Sequence, residues 1–320
     1  MNTILMTMNT ADALNTVPRR NFAARMKHGF ATTFAMVGAA ALLLLSACED
    51  APPNSFVPVP FVEAYLFVDR PIEGIVVARS QSLSAPFEYE SGMLADADVQ
   101  LSGGGNTYAL AYRVVNGAGS YWYPDTTALI QPSTAYTLTV RLKDGGVMTA
   151  STTTPERIAW MRKPAKLLQY PTDTTKLQSP DSLRIQWTPG NTQEFIIRIQ
   201  CLDTLAYGAY LTPPTNEDNG RTNNLSNFET PKRNSFYSTT RWGFIQATGV
   251  PTVWTGFRWY GRNAVAIIAP DKPFLDWFKM TRFSGNPQYN PEFSNIRGGT
   301  GIFASAALIE EELFLLKRVK

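Results

Sequence analysis

The chain has 320 residues, with 29 basic and 26 acidic side chains, one histidine and a formal net charge of +3. A charge this small leaves no electrostatic footprint for nucleic acid, and a single imidazole excludes any site that needs two. Hydrophobic residues make up 44%, enough to fill the core of one large domain or two ordinary ones.

From Phe30 to Leu45 the residues are almost all apolar or small. That is shorter than the roughly twenty residues a membrane-spanning helix needs, and it suits the apolar region of a signal peptide. Arg25, Lys27 and His28 supply the positive charge before it, and Met26 begins a signal of ordinary length. Leu45-Ser46-Ala47-Cys48 then resembles the bacterial lipobox. Residues 1–47 are therefore read as a lipoprotein signal peptide with its true start near Met26. Leu45, Ser46 and Ala47 would be recognised by the peptidase, and Cys48 would take a diacylglycerol and a further acyl chain. Apart from that covalent lipid, no cofactor is expected.

Cleavage before Cys48 removes four basic residues (Arg19, Arg20, Arg25, Lys27) and one acidic (Asp12), leaving 25 of each sign. His28 leaves with the signal, so no Ser-His-Asp or Cys-His arrangement can form, nor a zinc site built on imidazole. The remaining thiol, Cys201, lies in the apolar run FIIRIQCL and reads as buried and inert. Residues 48–60 hold four prolines and read as a semi-rigid spacer.

The folded part begins with Phe61–Val68, rich in aromatic and β-branched residues, followed by Gly74–Ala78. Ala97–Ser102 runs into Gly103-Gly104-Gly105 and a new apolar stretch, which predicts a hairpin. In TAYTLTVRLK, Tyr136, Leu138, Val140 and Leu142 alternate with polar residues, the period of a strand with one wet face. Asp144-Gly145-Gly146 then supplies hairpin-turn chemistry. These features predict an N-terminal β-sandwich over 61–157. After a linker through Pro164 to Pro180, Leu183, Ile185 and Trp187 alternate, and Gln193–Leu202 predicts the next strand. Residues 212–232 read as a long loop. Further strands are expected at Trp254–Tyr260 and Ala264–Ala269, and a short helix at Pro273–Phe283 capped by Asp271. The end, from Gly301 to Leu316, should close the second sheet. The fold class is thus all-β: two β-sandwich domains of immunoglobulin or fibronectin type, the second over 165–320, with one short helix.

The stretch VEAYLFVDRPIEG through DGGVMTASTTTP, with ADADVQLSGGG between, resembles the N-terminal half of an uncharacterised, domain-of-unknown-function family of Bacteroidota lipoproteins. NPEFSNIRGGTGIFASA is similar to that family's closing motif, carried here by Ser294, Asn295, Ile296, Gly298, Gly299 and Gly301. It departs from the pattern at Ala304-Ser305-Ala306-Ala307, where glycine and aromatic residues are usual. Glu49 and Asp50 resemble the acidic export signal of surface-exposed lipoproteins in that group. The resemblance implies an outer-membrane accessory of TonB-dependent, SusC-like receptors and brings no catalytic residues. By themselves the glycines read as a tight turn, since no Lys-Ser/Thr follows to make a phosphate loop.

Without histidine, paired carboxylates are the remaining acid–base option, with Asp271, Asp276 and Glu292 as candidates. Caps and solvated charges are the preferred reading of these residues. Asp96 and Asp98 form an Asp-x-Asp, read as turn chemistry rather than calcium binding, and no metal is expected. The strongest binding signal is aromatic density. Trp242, Trp254, Trp259, Tyr260 and Trp277 crowd into one region with Phe257, Phe274 and Phe278. Two readings stand: a sandwich core that needs large rings, or an exposed platform for a glycan or peptide. If Phe257 and Trp259 face the core, Tyr260 faces the other way. The expectation is a non-catalytic, lipid-anchored outer-membrane protein, surface-displayed, that captures ligand beside a TonB-dependent barrel and binds no nucleic acid. The alternative is a structural or adhesive envelope lipoprotein, with a glycan-degrading enzyme third.

Overall fold

The computed structural model describes residues 56–82, 86, 90–172, 180–202, 207–217, 240–283 and 293–317. The expected signal peptide with its Leu45-Ser46-Ala47-Cys48 motif, Glu49, Asp50 and Glu292 lie outside them, as do residues 218–232 of the expected loop. Residues 58–320 form one compact unit.

The fold is all-β and sandwich-like. In chain order the strands are β1 (Pro60–Phe67), β2 (Val76–Arg79), β3 (Asp98–Gly103), β4 (Asn106–Val115), β5 (Ala118–Trp122), β6 (Ala135–Arg141) and β7 (Val147–Thr153). Then follow β8 (Trp160–Arg162), β9 (Leu167–Gln169), β10 (Ile185–Trp187), β11 (Phe195–Cys201), β12 (Thr240–Ile245), β13 (Gly249–Val250), β14 (Gly261–Pro270) and β15 (Thr300–Leu316). One α-helix, α1 (Lys272–Phe283), follows β14 among the described residues.

Strands β5-β4-β3-β6-β7 make an antiparallel five-stranded sheet in which β3–β4, β4–β5 and β6–β7 are joined by short turns, and β13-β10-β8 make a small three-stranded one. The predicted hairpins form. Gly104 and Gly105 take positive φ between β3 and β4, and the Asp144 carboxylate accepts the Gly146 N–H at 3.0 Å between β6 and β7.

The third sheet decides the architecture. Its order is β12-β11-β14-β15-β1-β2, with β9 pairing to the far end of β15. The chain's first strand therefore lies parallel to its last, Val62 beside Gly301 and Phe67 beside Ala306. Residues 61–157 and 165–320 each contribute a core, but no sheet boundary separates them. Seventeen residues make β15 long enough to serve both. Phe303 packs into the front core with Val62, Leu66, Leu101 and Leu138. Ala307, Leu313 and Leu315 pack into the rear core with Trp187, Phe195 and Trp254. These β15 residues are all odd-numbered, so both cores sit on one face of the shared sheet.

Three expectations are corrected. Trp254–Tyr260 is not a strand: Trp254–Gly256 is a 3-10 turn, its tryptophan ring held against Tyr170 and Phe257. The linker before Pro180 contains β9, whose one buried residue, Leu168, is too short a pattern for periodicity to reveal. And β15 does not close a second sheet but runs between β14 and β1. Cys201, at the end of β11, is buried as expected.

Candidate functional site

The other face of the shared sheet carries α1. Its N-cap is Asp271, whose Oδ1 accepts the Phe274 N–H at 2.8 Å. The same carboxylate ties the helix to the sheet. Its Oδ2 accepts from the Ser305 N–H at 3.0 Å and from the Thr152 hydroxyl of β7. Ser305 is fully buried between Phe303 and Ala307, so this polar cluster lies at the seam between the two cores. Burial pushes the Asp271 carboxyl above the usual range, against the opposing pull of its hydrogen bonds. Four accepted hydrogen bonds, from the Phe274 N–H at the cap, the Ser305 N–H and hydroxyl and the Thr152 hydroxyl, make Asp271 a structural residue.

Phe274 and Phe278, one helical turn apart, face the sheet. Phe274 lies 5.1 Å from the Tyr65 ring and 6.3 Å from Phe67, and Phe278 lies 5.7 Å from Trp242. A cavity opens on each flank of the helix. The first, about 500 Å³, is lined by Thr153, Thr154, Asn191, Glu194, Asp276 and Lys279 among others. Its charges answer one another. Lys279 reaches Glu194 at 3.1 Å, and Lys272 pairs with Asp276 one turn along α1. The Gln246 amide and Lys279 together hold Glu194 below the usual carboxylate range. Asp276 is thus engaged as a solvated helix charge rather than aimed across a cleft.

The second cavity, about 410 Å³, falls within the size of small-molecule pockets. Its walls are apolar: Val59, Phe61, Val62, Ile302 and the Trp277 ring, with Glu63, Ser80 and Thr300 as its polar members. Register explains the set. Phe61 pairs with Thr300 and Glu63 with Ile302, so these four side chains share the α1 face at the end the helix does not cover. The chain enters beside them, pinned where the Val59 N–H donates to Ser80 Oγ and the Ser80 N–H to the Val59 carbonyl, both at 2.9 Å.

Of the five sequence-predicted aromatics, Trp277 lines the second cavity. Trp254 (4% exposed), Trp259 (4%) and Tyr260 (7%) are all buried, and Phe257 with them, so the expected outward face for Tyr260 does not exist. Trp242 is half-buried under α1, with the Arg198 guanidinium 5.8 Å from its ring centre. Asp98 pairs with Arg141 at 3.3 Å, and no group of three or more metal-ligating side chains occurs among the described residues.

The closing motif builds the junction. The Asn295 side chain pairs with Phe303 like a strand neighbour, accepting its N–H at 2.9 Å and donating to its carbonyl at 2.6 Å. Ile296 enters the front core, and the Ser294 Oγ accepts the Ile296 N–H at 3.3 Å. Gly298 has φ +78, and a Cβ there would lie 2.1 Å from the Val147 carbonyl oxygen. At Gly299 a Cβ would meet Met148, and at Gly301 (φ +112) it would lie 2.0 Å from the Val62 carbonyl oxygen. The glycines let β15 enter between β7 and β1.

Sequence reasoning missed Phe61, Glu63, Thr300 and Ile302 as a set. One signal was present: Phe61, Tyr65 and Phe67 alternate with Val62, Ala64 and Leu66, so both faces of β1 are apolar, as in a strand covered on both sides.

A family model described as a domain of unknown function, DUF4249, matches residues 54–310, and the chain belongs to that family. No curated protein matches it. Among solved structures, a chain from a study of host cell surface retention of a 1.5-MDa bacterial ice-binding adhesin aligns at 8% identity with a TM-score of 0.20. The alignment covers 82% of this chain and 66% of that one, less than two thirds of its length.

Proposed function

We propose that this member of the DUF4249 family is a lipid-anchored, non-catalytic outer-membrane protein that captures a ligand beside a TonB-dependent uptake barrel. The observation that carries the binding role is the apolar cavity against Trp277, whose polar members are not drawn into the ion pairs that occupy the opposite flank of α1. The candidate carboxylates favour binding over chemistry: Asp271 is consumed as a cap and Asp276 by Lys272. The signal peptide and Cys48 support the anchor, the spacer of residues 48–60 supports display away from the membrane, and Glu49-Asp50 supports outward display. The barrel partner rests on the resemblance to Bacteroidota lipoproteins.

The test is to solubilise native membranes gently, recover the protein through a C-terminal tag and identify what accompanies it. A stoichiometric large β-barrel is the expected result. Recovery alone, with the Cys48 lipid intact, would overturn the accessory role and favour a structural or adhesive one.

A further inference from the structure

The cavity beside Trp277 has unused hydrogen-bonding and charge capacity. Thr300 lines it, and its Oγ1 is buried with no hydrogen-bond partner. A buried hydroxyl left in that state is costly unless something else supplies the bond. Glu63 is exposed at the same cavity and makes no ion pair with a described residue, whereas Arg79 pairs with Asp144 and Lys272 with Asp276. Ser80 has its Oγ occupied by the Val59 N–H. The remaining surface is aliphatic or aromatic.

We infer that this cavity takes an apolar ligand bearing one protonated amine. The inference rests on the ligand-capturing reading above and names its substrate class. The apolar body fills the space between Phe61, Ile302 and the Trp277 ring. The ammonium lies at the Glu63 carboxylate, and rotation of the Thr300 side chain about χ1 brings its hydroxyl out of its buried, unpartnered position to a polar group of the ligand. Trp is also the ring that best attracts a cation over its face. A fatty carboxylate of the same size is disfavoured, because its charge would meet the like charge of Glu63. The amine could belong to a small alkylamine or to the N-terminus of an apolar peptide.

The test uses the chain without its signal, beginning after Cys48, and calorimetric titration with n-decylamine, n-decanol and n-decanoate below their aggregation limits. Decylamine should bind tightest, by about fivefold over the alcohol and more over the carboxylate, with the preference shrinking as salt rises. Glu63→Gln should abolish the charge preference and leave decanol binding unchanged. Thr300→Val, nearly isosteric, should weaken decylamine by about threefold. Trp277→Ala should weaken all three by about tenfold, with its melting curve checking that the variant folds. Tri-leucine amide and its N-acetylated form separate the two sources: binding only with a free N-terminus points to peptides, and binding of decylamine alone points to small amines. Equal binding of amine, alcohol and carboxylate, or an undiminished preference in Glu63→Gln, would overturn the amine assignment. No binding of any probe by the folded chain would overturn the site itself. The barrel pull-down reads independently of both results.

Discussion

The front and rear cores rest on the same face of one sheet, yet they are made of different material. The front one is largely aliphatic, with Val62, Leu66, Leu101, Leu138 and Val140 supplied by the regular strands β1, β3 and β6. The rear one is dominated by rings: Tyr170, Trp187, Phe195, Trp254, Phe257 and Tyr260. Its covering strands β8, β10 and β13 are only three, three and two residues long. Regular pleated strands place alternate aliphatic side chains at the right spacing to interlock. Short strands and 3-10 turns leave wider, irregular gaps that large rings fill. Aromatic density in this half therefore reports packing, while Trp277 lines the apolar cavity on the opposite side of the sheet.

The comparison predicts that the two cores stand or fall together, because β15 belongs to both. The largest effect is expected at the junction. Gly301→Ala should cost about 4 kcal/mol or prevent folding, since both the positive φ and the Val62 carbonyl oppose a Cβ. A urea melt would check this, and a change under 1 kcal/mol would mean that β1 and β15 are not held so close. Next, Phe303→Ala in the front core and Leu315→Ala in the rear core should each cost about 3 kcal/mol. Both should move a single unfolding transition seen alike by tryptophan fluorescence and far-UV circular dichroism. Two separate transitions would break the picture of one cooperative sheet.

The seam gives a smaller effect with a pH signature. Asp271→Ala removes the acceptor for Phe274, Ser305 and Thr152, at a cost of about 2 kcal/mol near pH 4. Burial raises this carboxyl in the folded state, so the folded protein binds the proton more tightly than the unfolded chain does. The stability Asp271 contributes is complete below its unfolded value and is lost as pH rises through the raised folded one. The difference between wild type and Asp271→Ala should therefore shrink as pH rises above about 4, as read from urea midpoints at each pH. A difference that grows with pH would reverse the assignment. The smallest effect belongs to the surface. Glu312→Gln breaks the 2.8 Å pair with Arg262 on the exposed end of β15 and should change stability by under about 0.5 kcal/mol, less still in high salt.

Much of the fold was legible because local pattern carries it. Alternation marked β6 and β10, glycine pairs marked the hairpins, and Asp271 before an aromatic helix marked α1 and its cap. The glycines of the closing motif were readable as a turn. Less of the site was legible. Trp277 was one of five aromatic candidates, and nothing local distinguished it from Trp254 or Trp259. Glu63 and Thr300 are 237 positions apart, and they share a cavity only because their strands lie side by side.

The sequence by itself therefore determined the longer strands, their hairpin turns and where the helix begins, since these depend on residues a few positions apart, but not β9 or the 3-10 turn at Trp254–Gly256. Only the tertiary structure decided that the first strand pairs with the last, that two cores share one sheet, and that one tryptophan lines a cavity while its neighbours are buried. A strand's periodicity shows that it has two faces, but not which strand satisfies its backbone edge or which layer covers each face. Those are settled by long-range pairing, and the cavity exists where the covering helix stops short of the sheet's edge.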